Sequence, residues 1–229
     1  DRRLELRSMT GENSGNSIYS FVSEEGWRLK LTVNWQDDPD AKKPLMIVLR
    51  NYDENRWASE SFASSFSKEW NVAYFEPRGV GETGWDPGLQ WHIRRASAWT
   101  GRTIASMQVY DVLRSLKLCR TLPGIDTARI GIAAQEEMAV VALYAALMDG
   151  KCETVILKNP PATQDVASNP EGKGAAIEML NCRQATDVNQ LPALIWPTKT
   201  VFAGDVPTHF LWSENVLKHL GKGGFIREK

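Results

Sequence analysis

Three polar residues, Gln135, Glu136 and Glu137, stand between two strongly apolar stretches of the chain. The stretch before them, residues 129–134, has the sequence RIGIAA, which is typical of a buried strand. The stretch after them, residues 138–148, is rich in alanine and leucine and predicts a helix of about three turns. A strand that turns sharply into a helix pushes the middle residue of the turn outward, where it can act as a nucleophile. The residue in that middle position is Glu136.

The usual sequence of such a turn is Gly-x-Ser-x-Gly, with serine as the nucleophile. Here the five positions are Ala134, Gln135, Glu136, Glu137 and Met138. A carboxylate can replace the serine, as an aspartate does in hydrolases that act on halides and epoxides, but a histidine must then activate water in the second step. Alternatively, Glu136 and Glu137 are solvated charges at a helix N-terminus, where the helix dipole stabilises each by about 0.3–1 kcal/mol. We favour this second interpretation.

Other residues that could take part in binding or catalysis also have ordinary structural explanations. Arg78 opens a glycine-rich loop after a predicted strand, and it could bind a carboxylate or sugar acid through both nitrogens. It could equally brace the loop against Glu76 or Glu82, which we favour. His209 could act as a base, although a histidine in a loop is more often a solvated surface residue. Tryptophans of the following segment, Trp85, Trp91 and Trp99, could wall a cleft above the sheet or pack under loops.

Composition excludes several functional classes. The 229 residues are 42% hydrophobic and carry a net charge of −1, so we expect one globular domain spanning residues 1–229 and no nucleic-acid partner. The apolar runs are too short to cross a bilayer, so no membrane partner is expected. The three cysteines, Cys119, Cys152 and Cys182, are scattered and predict buried thiols; no metal or cofactor is expected. The sequence begins at Asp1 without methionine, which indicates processing or a longer parent protein.

Alternating strands and helices define the fold class. Residues 1–16 are predicted to be a polar extension, and residues 17–22 and 27–35 an antiparallel hairpin. From residue 44 onward, strand and helix alternate, which predicts an α/β fold with a mostly parallel sheet covered by helices on both faces. The predicted strands are 44–49, 71–76, 129–134, 154–157, 198–203 and 224–227; the predicted helices are 57–68, 103–119, 138–148, 174–183 and 210–220.

Five segments together resemble a known family: LMIVLRNYDENRW, YFEPRGVGETGW, VYDVLRSLKL, GIDTARIGIAAQEEMAVVALYAALM and TKTVFAGDVP. They resemble the acetyl xylan esterase and dipeptidyl-peptidase branch of the α/β-hydrolases, from about residue 17 to the C-terminus. The resemblance implies an α/β-hydrolase-like three-layer sandwich. It also implies a triad of serine at the strand–turn–helix junction, an acid after the seventh strand and a histidine after the eighth, with backbone N–H groups that stabilise the oxyanion.

Carried over by position, these roles fall on residues of unsuitable chemistry. The nucleophile position holds Glu136, and Asp205 lies near the acid position. No histidine occurs between Phe225 and the last residue given, Lys229, so His209 is the remaining candidate base. The oxyanion and loop positions fall on Asn51, Tyr52, Glu137, Arg78, Gly79 and Gly81.

The resemblance therefore predicts an α/β-hydrolase-fold domain that has lost its catalytic machinery. Such a domain would serve a binding or structural role in a larger, secreted or periplasmic carbohydrate-processing protein. Its expected partners are a carbohydrate or small ester and the other domains of that parent. The alternative is an active carboxylic-ester hydrolase that uses Glu136 or a serine at another position.

Overall fold

The computed structural model describes residues 3–10, 15–36, 41–52, 54, 56–174 and 177–228. Within them, nine strands form a single sheet in the order β1-β2-β3-β5-β4-β6-β7-β8-β9. The strands are β1 Arg7–Thr10, β2 Asn16–Glu24, β3 Trp27–Asn34, β4 Lys43–Leu49, β5 Asn71–Phe75, β6 Ile125–Gln135, β7 Thr154–Lys158, β8 Lys199–Ala203 and β9 Ile226–Glu228. The helices are α1 Arg56–Ala63, α2 Pro87–Trp99, α3 Ile104–Cys119, α4 Met138–Asp149, α5 Leu191–Leu194 and α6 Leu211–His219.

The sheet is parallel from β4 to β9 and antiparallel from β1 to β3. β3 joins the two parts by pairing antiparallel with β5. The central strand β4 has the sequence KPLMIVL, and all its residues after Lys43 are buried. Continuous apolar strands of this kind form where both faces of a sheet are covered. The predicted mostly parallel sheet with a leading antiparallel hairpin is confirmed.

Helices cover both faces of the sheet because successive strand residues point in opposite directions. Ile47 and Leu49 of β4 pack in a core with α3 and α4. Met46 and Val48, the alternate residues of the same strand, pack in a second core with Phe62 of α1. The result is a helix–sheet–helix sandwich whose strand ends carry the candidate site.

Two parts of the sequence prediction are wrong. The predicted helix over 174–183 is, in its described residues, an irregular loop with a 3-10 turn at Cys182–Gln184; residues 175–176 lie outside the described part. Side-chain bonds to other elements hold this loop and override its local helix propensity. The segment after the glycine-rich loop forms the helix α2, which was not predicted although Asp86 caps it and Pro87 is its first residue.

Smaller differences concern element ends. The helix predicted over 57–68 ends at Ala63, and the segment predicted as a polar extension, residues 1–16, contains β1. β1 pairs with β2 at the edge of the sheet. A four-residue edge strand of this kind depends on its neighbour, and the local sequence pattern carries little signal for it.

Candidate functional site

The junction between β6 and α4 has the predicted strand–turn–helix geometry. Glu136 stands in the turn with a φ of 48°, a left-handed conformation that is uncommon for a residue with a Cβ. Its backbone N–H donates to the carbonyl of Lys158 at 2.9 Å, and its carbonyl accepts from Ala139 at 3.0 Å. Its side chain is exposed. Glu136 therefore projects outward from the C-terminal edge of the sheet.

The turn forms without the glycines that usually flank it. Ala134 and Met138 stand at those two positions, and both side chains are fully buried. Their Cβ atoms are accommodated in the core beneath the turn. The remaining strain falls on Glu136, since the left-handed conformation costs a residue with a Cβ about 1–2 kcal/mol.

The loop after β4, at which the resemblance places oxyanion-binding amides, is already hydrogen-bonded within the protein. The N–H of Arg50 donates to the carbonyl of Phe75 at 3.1 Å. The N–H of Asn51 donates to the carboxylate of Glu54 at 2.9 Å, and Gln135 donates to the other oxygen of Glu54 at 2.8 Å. Glu54 thus places a negative charge where an oxyanion would have to be stabilised.

Two buried amide side chains at this loop, those of Asn51 and Gln108, use their nitrogens for hydrogen bonds within the protein, so that only their oxygens remain. The Asn51 amide donates to the carbonyl of Gln135, and the Gln108 amide donates to Tyr52 Oη and to the carbonyl of Arg78. These bonds fix the orientation of both amides. Their oxygens are buried and accept no hydrogen bond from a described residue. An oxyanion needs donors, so neither oxygen could serve it.

Residues of the segment 171–174 contact two of the candidate site residues, Tyr52 and Glu137. The ammonium group of Lys173 is 4.2 Å from the centroid of the Tyr52 ring, and the N–H of Gly174 donates to the carboxylate of Glu137. Burial raises the pKa of Tyr52, so its hydroxyl stays protonated at neutral pH. Tyr52 and Glu137 are therefore held by neighbouring segments.

Arg78 is committed to a buried charge network. Its side chain is 1% exposed, and its Nε and Nη2 atoms donate to the carboxylate of Asp111 at 2.8 and 2.7 Å. Nη1 donates to Glu24 at 2.8 Å, and the guanidinium lies 5.1 Å from the Trp27 ring. Arg102 binds the same Glu24 through two hydrogen bonds. Arg78 therefore joins the end of β2 to α3.

The predicted partners of Arg78 are wrong. Glu76 pairs with Arg50 at 2.7 Å, and Glu82 pairs with Lys30 at 2.6 Å. Both glutamates were predicted as partners because they are close to Arg78 in the sequence. The actual partner, Asp111, lies on α3, 33 residues away.

Gly79 and Gly81 shape the turn that follows Arg78. Their φ angles are 82° and 56°, which favour glycine. A Cβ at Gly79 would clash with the ring of Trp85, and a Cβ at Gly81 would clash with the carboxylate of Glu76. Backbone conformation and close packing therefore explain why both positions hold glycine, without any ligand.

Asp205 and His209 follow β8, at the same edge of the sheet as Glu136. Both side chains are exposed, and His209 lies in a 3-10 turn at Thr208–Phe210. Neither side chain forms a hydrogen bond or ion pair with a described residue. A catalytic triad depends on hydrogen bonds from acid to base and from base to nucleophile. In the described part of the chain, the three positional candidates are not joined in this way.

Two cavities lined by described residues lie elsewhere. One of about 560 Å³ faces β2, β3 and Tyr74, and the other, of about 660 Å³, lies between α2 and the loop at 164–183. Neither is lined by Glu136, Asp205 or His209. In the described residues, no group of three or more His, Cys, Asp or Glu side chains could hold a metal ion. None of the described helices combines the length and apolar character needed to cross a membrane.

Sequence reasoning missed Glu54, Gln108 and Lys173 as neighbours of the candidate site. Glu54 lies three residues after Asn51, and this short spacing was a usable signal for a bond within the loop. Gln108 lies on α3 and Lys173 in a long loop, so only the tertiary fold brings them to Tyr52.

The sheet order, the strand–turn–helix junction at Glu136 and the helices on both faces define an α/β-hydrolase fold. Solved structures support this assignment. Acetyl xylan esterase 1 from Thermoanaerobacterium sp. has a TM-score of 0.63 and 15% identity, over 100% of this chain and 80% of that one. A candidate acetyl xylan esterase from Bacteroides fragilis has a TM-score of 0.77 and 9% identity, over 99% of this chain and 70% of that one.

A glucuronoyl esterase of carbohydrate esterase family 15 from Caldicellulosiruptor kristjansonii is also similar. Its TM-score is 0.62 with 15% identity, over 98% of this chain and 74% of that one. No family model and no curated protein matches the sequence. At these identities the similarity establishes the fold and leaves the activity to the site itself.

Proposed function

We propose that this chain is a catalytically silent α/β-hydrolase-fold domain with a binding or structural role in a larger, extracytoplasmic carbohydrate-processing protein. The observation that carries the proposal is Glu136 in the nucleophile position of the β6–α4 turn. The link to carbohydrates rests on those similar structures that are acetyl xylan or glucuronoyl esterases. A carbohydrate or small ester and the parent's other domains are the partners we propose.

Charge around the turn argues against acyl transfer. The reaction builds negative charge on the carbonyl oxygen, and loss of a single donor to that oxygen costs about 10²–10³ in rate. In this chain the amide of Asn51 is bonded to Glu54, and the turn itself contributes Glu136 and Glu137. Three carboxylates would repel the developing charge that an esterase must stabilise.

An active hydrolase with Glu136 as nucleophile is the second candidate. The outward, exposed position of Glu136 and its left-handed backbone favour it, because an enzyme nucleophile occupies such a turn. This mechanism also needs a base to activate water in the second step, and His209 is the candidate for that role.

Labelling with a fluorophosphonate tests the first proposal, since this reagent modifies activated serines wherever they lie. We expect intact-mass spectrometry to find no adduct under conditions that fully label a serine esterase. The variant Glu136→Ser should also stay unlabelled, because an unassisted serine hydroxyl is a weak nucleophile at neutral pH. A serine adduct in the parent chain would overturn the proposal, and rapid labelling of Glu136→Ser would reveal a base already in place.

A further inference from the structure

The cavity of about 660 Å³ lies between α2 and the loop at 164–183. Gln90 is the single buried residue of α2, which is otherwise a surface helix with one side turned toward this loop. No residue of the turn from Ala134 to Met138 lines the cavity. We call this cavity the α2 cleft, and what it binds is independent of the function proposed for the turn.

The α2 cleft has an exposed apolar wall. Trp91, Val166 and Leu180 line it with relative exposures of 40%, 46% and 51%. Ile177 and Met179 add apolar surface from the same loop. Apolar side chains exposed in a concave site are typical of a site that binds the apolar part of a small ligand.

Most polar groups of the α2 cleft are already bonded within the protein. Gln164 accepts from Tyr144 at 3.1 Å and donates to a backbone carbonyl at 3.0 Å. Arg94 binds Glu178 through two hydrogen bonds, and Arg183 pairs with two aspartates. A sugar carries many hydroxyl groups that need free partners, so this wall does not suit a neutral carbohydrate.

Among the described charged residues that line the α2 cleft, Arg95 is the exception. Its guanidinium stacks 4.4 Å from the centroid of the Trp91 ring, and it forms no ion pair or hydrogen bond with a described residue. Both residues line the α2 cleft. Stacking on the aromatic face orients the guanidinium while its N–H donors stay available to an anion.

We propose that the α2 cleft binds a small amphipathic carboxylate. Its apolar body packs against Trp91, Val166 and Leu180, and its carboxylate accepts hydrogen bonds from Arg95. Planar carboxylates suit the fork of donors that a guanidinium presents. The ligand is therefore an acid with an aromatic or branched aliphatic body.

Cys182 lines the α2 cleft and gives a local readout. It is partly exposed, whereas Cys119 and Cys152 are buried. Burial raises the pKa of Cys119 to about 12 and also raises that of Cys152, so both thiols resist alkylation at neutral pH. The rate of N-ethylmaleimide modification at Cys182 therefore reports occupancy of the α2 cleft.

The probe is 2-naphthylacetate, and its matched control is the neutral 2-naphthylacetamide. We expect the acid to slow alkylation of Cys182 and the amide to need an about tenfold higher concentration, since an anion–guanidinium contact contributes on the order of a tenfold affinity change. Arg95→Gln should remove this preference for the acid. Arg129→Gln should keep it, because Arg129 also stacks on a tryptophan, Trp70, at 5.4 Å but lies outside the α2 cleft.

Several results would overturn the proposal. They are equal protection by acid and amide, no protection by either, or equal behaviour of the Arg95→Gln and Arg129→Gln variants. Protection by glucuronate or xylose at lower concentrations than 2-naphthylacetate would assign the α2 cleft to a carbohydrate instead. None of these outcomes changes the fluorophosphonate result, so failure here is distinguishable from failure of the proposed function.

Discussion

Arg78 and Asp111 form a fully buried ion pair, with side chains that are 1% and 0% exposed. Their hydrogen bonds, together with those of Glu24 and Arg102, satisfy charges that would otherwise be costly to bury. Packing and charge pairing therefore explain why position 78 holds a buried arginine, a residue type that is usually exposed. No ligand is required.

Replacing Asp111 with asparagine should lower the free energy of unfolding by about 3–5 kcal/mol, because it leaves the buried guanidinium of Arg78 without its main counter-charge. Urea denaturation measures the change. The control is Arg28→Gln, which removes the exposed Arg28–Glu5 pair and should cost at most about 1 kcal/mol. Similar losses in the two variants would contradict the role assigned to Asp111.

Glu24 links this network to pH. Hydrogen bonds from Arg102, and a further one from Arg78, outweigh the effect of burial and lower the pKa of Glu24 to about 2. A carboxyl whose pKa is lower in the folded than in the unfolded state stabilises the fold above the unfolded value and loses that contribution as pH falls.

We therefore expect stability to fall between about pH 4.5 and pH 2, and to fall less steeply in Glu24→Gln. Chemical denaturation at a series of pH values gives the slopes. Glu25→Gln, at the neighbouring exposed glutamate, should retain the parent slope. If both variants kept the parent slope, Glu24 would not contribute to the pH dependence.

At the scale of elements, the loop after β5 shows how glycine permits close packing. Gly79 has a φ of 82°, and the ring of Trp85 occupies the space where its Cβ would stand. Gly101 has a similar φ of 74° but has no atom within 4 Å of the Cβ position. A substitution at Gly101 thus tests backbone strain alone, whereas a substitution at Gly79 tests backbone strain together with a steric clash.

Gly101→Ala should lower the free energy of unfolding by about 1–2 kcal/mol, the cost of a left-handed conformation for a residue with a Cβ. Gly79→Ala should cost clearly more, because Trp85 must also move. Thermal or urea unfolding of the two variants tests the difference. Equal costs would show that Trp85 yields freely.

Contacts between elements also limit how much of the fold the sequence can predict. β4 and β7 are continuous apolar runs, and their burial followed directly from that pattern. The segment at 177–184 has good helix formers, yet Arg94 on α2 holds Glu178 in a loop conformation. Because that bond spans 84 residues, no local pattern could indicate it.

At the scale of the whole molecule, the parallel order of strands from β4 onward could be predicted from alternation and crossover rules. The position of Glu136 followed from the apolar strand before it and the apolar helix after it. The occupied amide of Asn51 and the orphaned oxygens of Asn51 and Gln108 could not be predicted, since they depend on how separate loops meet at the strand ends.

These observations concern one edge of the sheet, at which an α/β-hydrolase would carry out its chemistry. Glu136 stands there with Glu54 and Glu137 nearby, and the candidate acid and base, Asp205 and His209, are not bonded to it. The α/β-hydrolase fold is thus present, and under the proposed function the carboxylates at this edge oppose the negative charge that ester hydrolysis would develop there.

Turnover of p-nitrophenyl acetate, compared between the parent chain and Glu136→Ala, tests this account most directly. We expect the two proteins to release p-nitrophenol at the same slow rate, because the proposed function gives the Glu136 side chain no part in lowering the barrier. His209→Ala should match them. Clear turnover by the parent that Glu136→Ala or His209→Ala abolishes would contradict the account and establish the Glu136 hydrolase in its place.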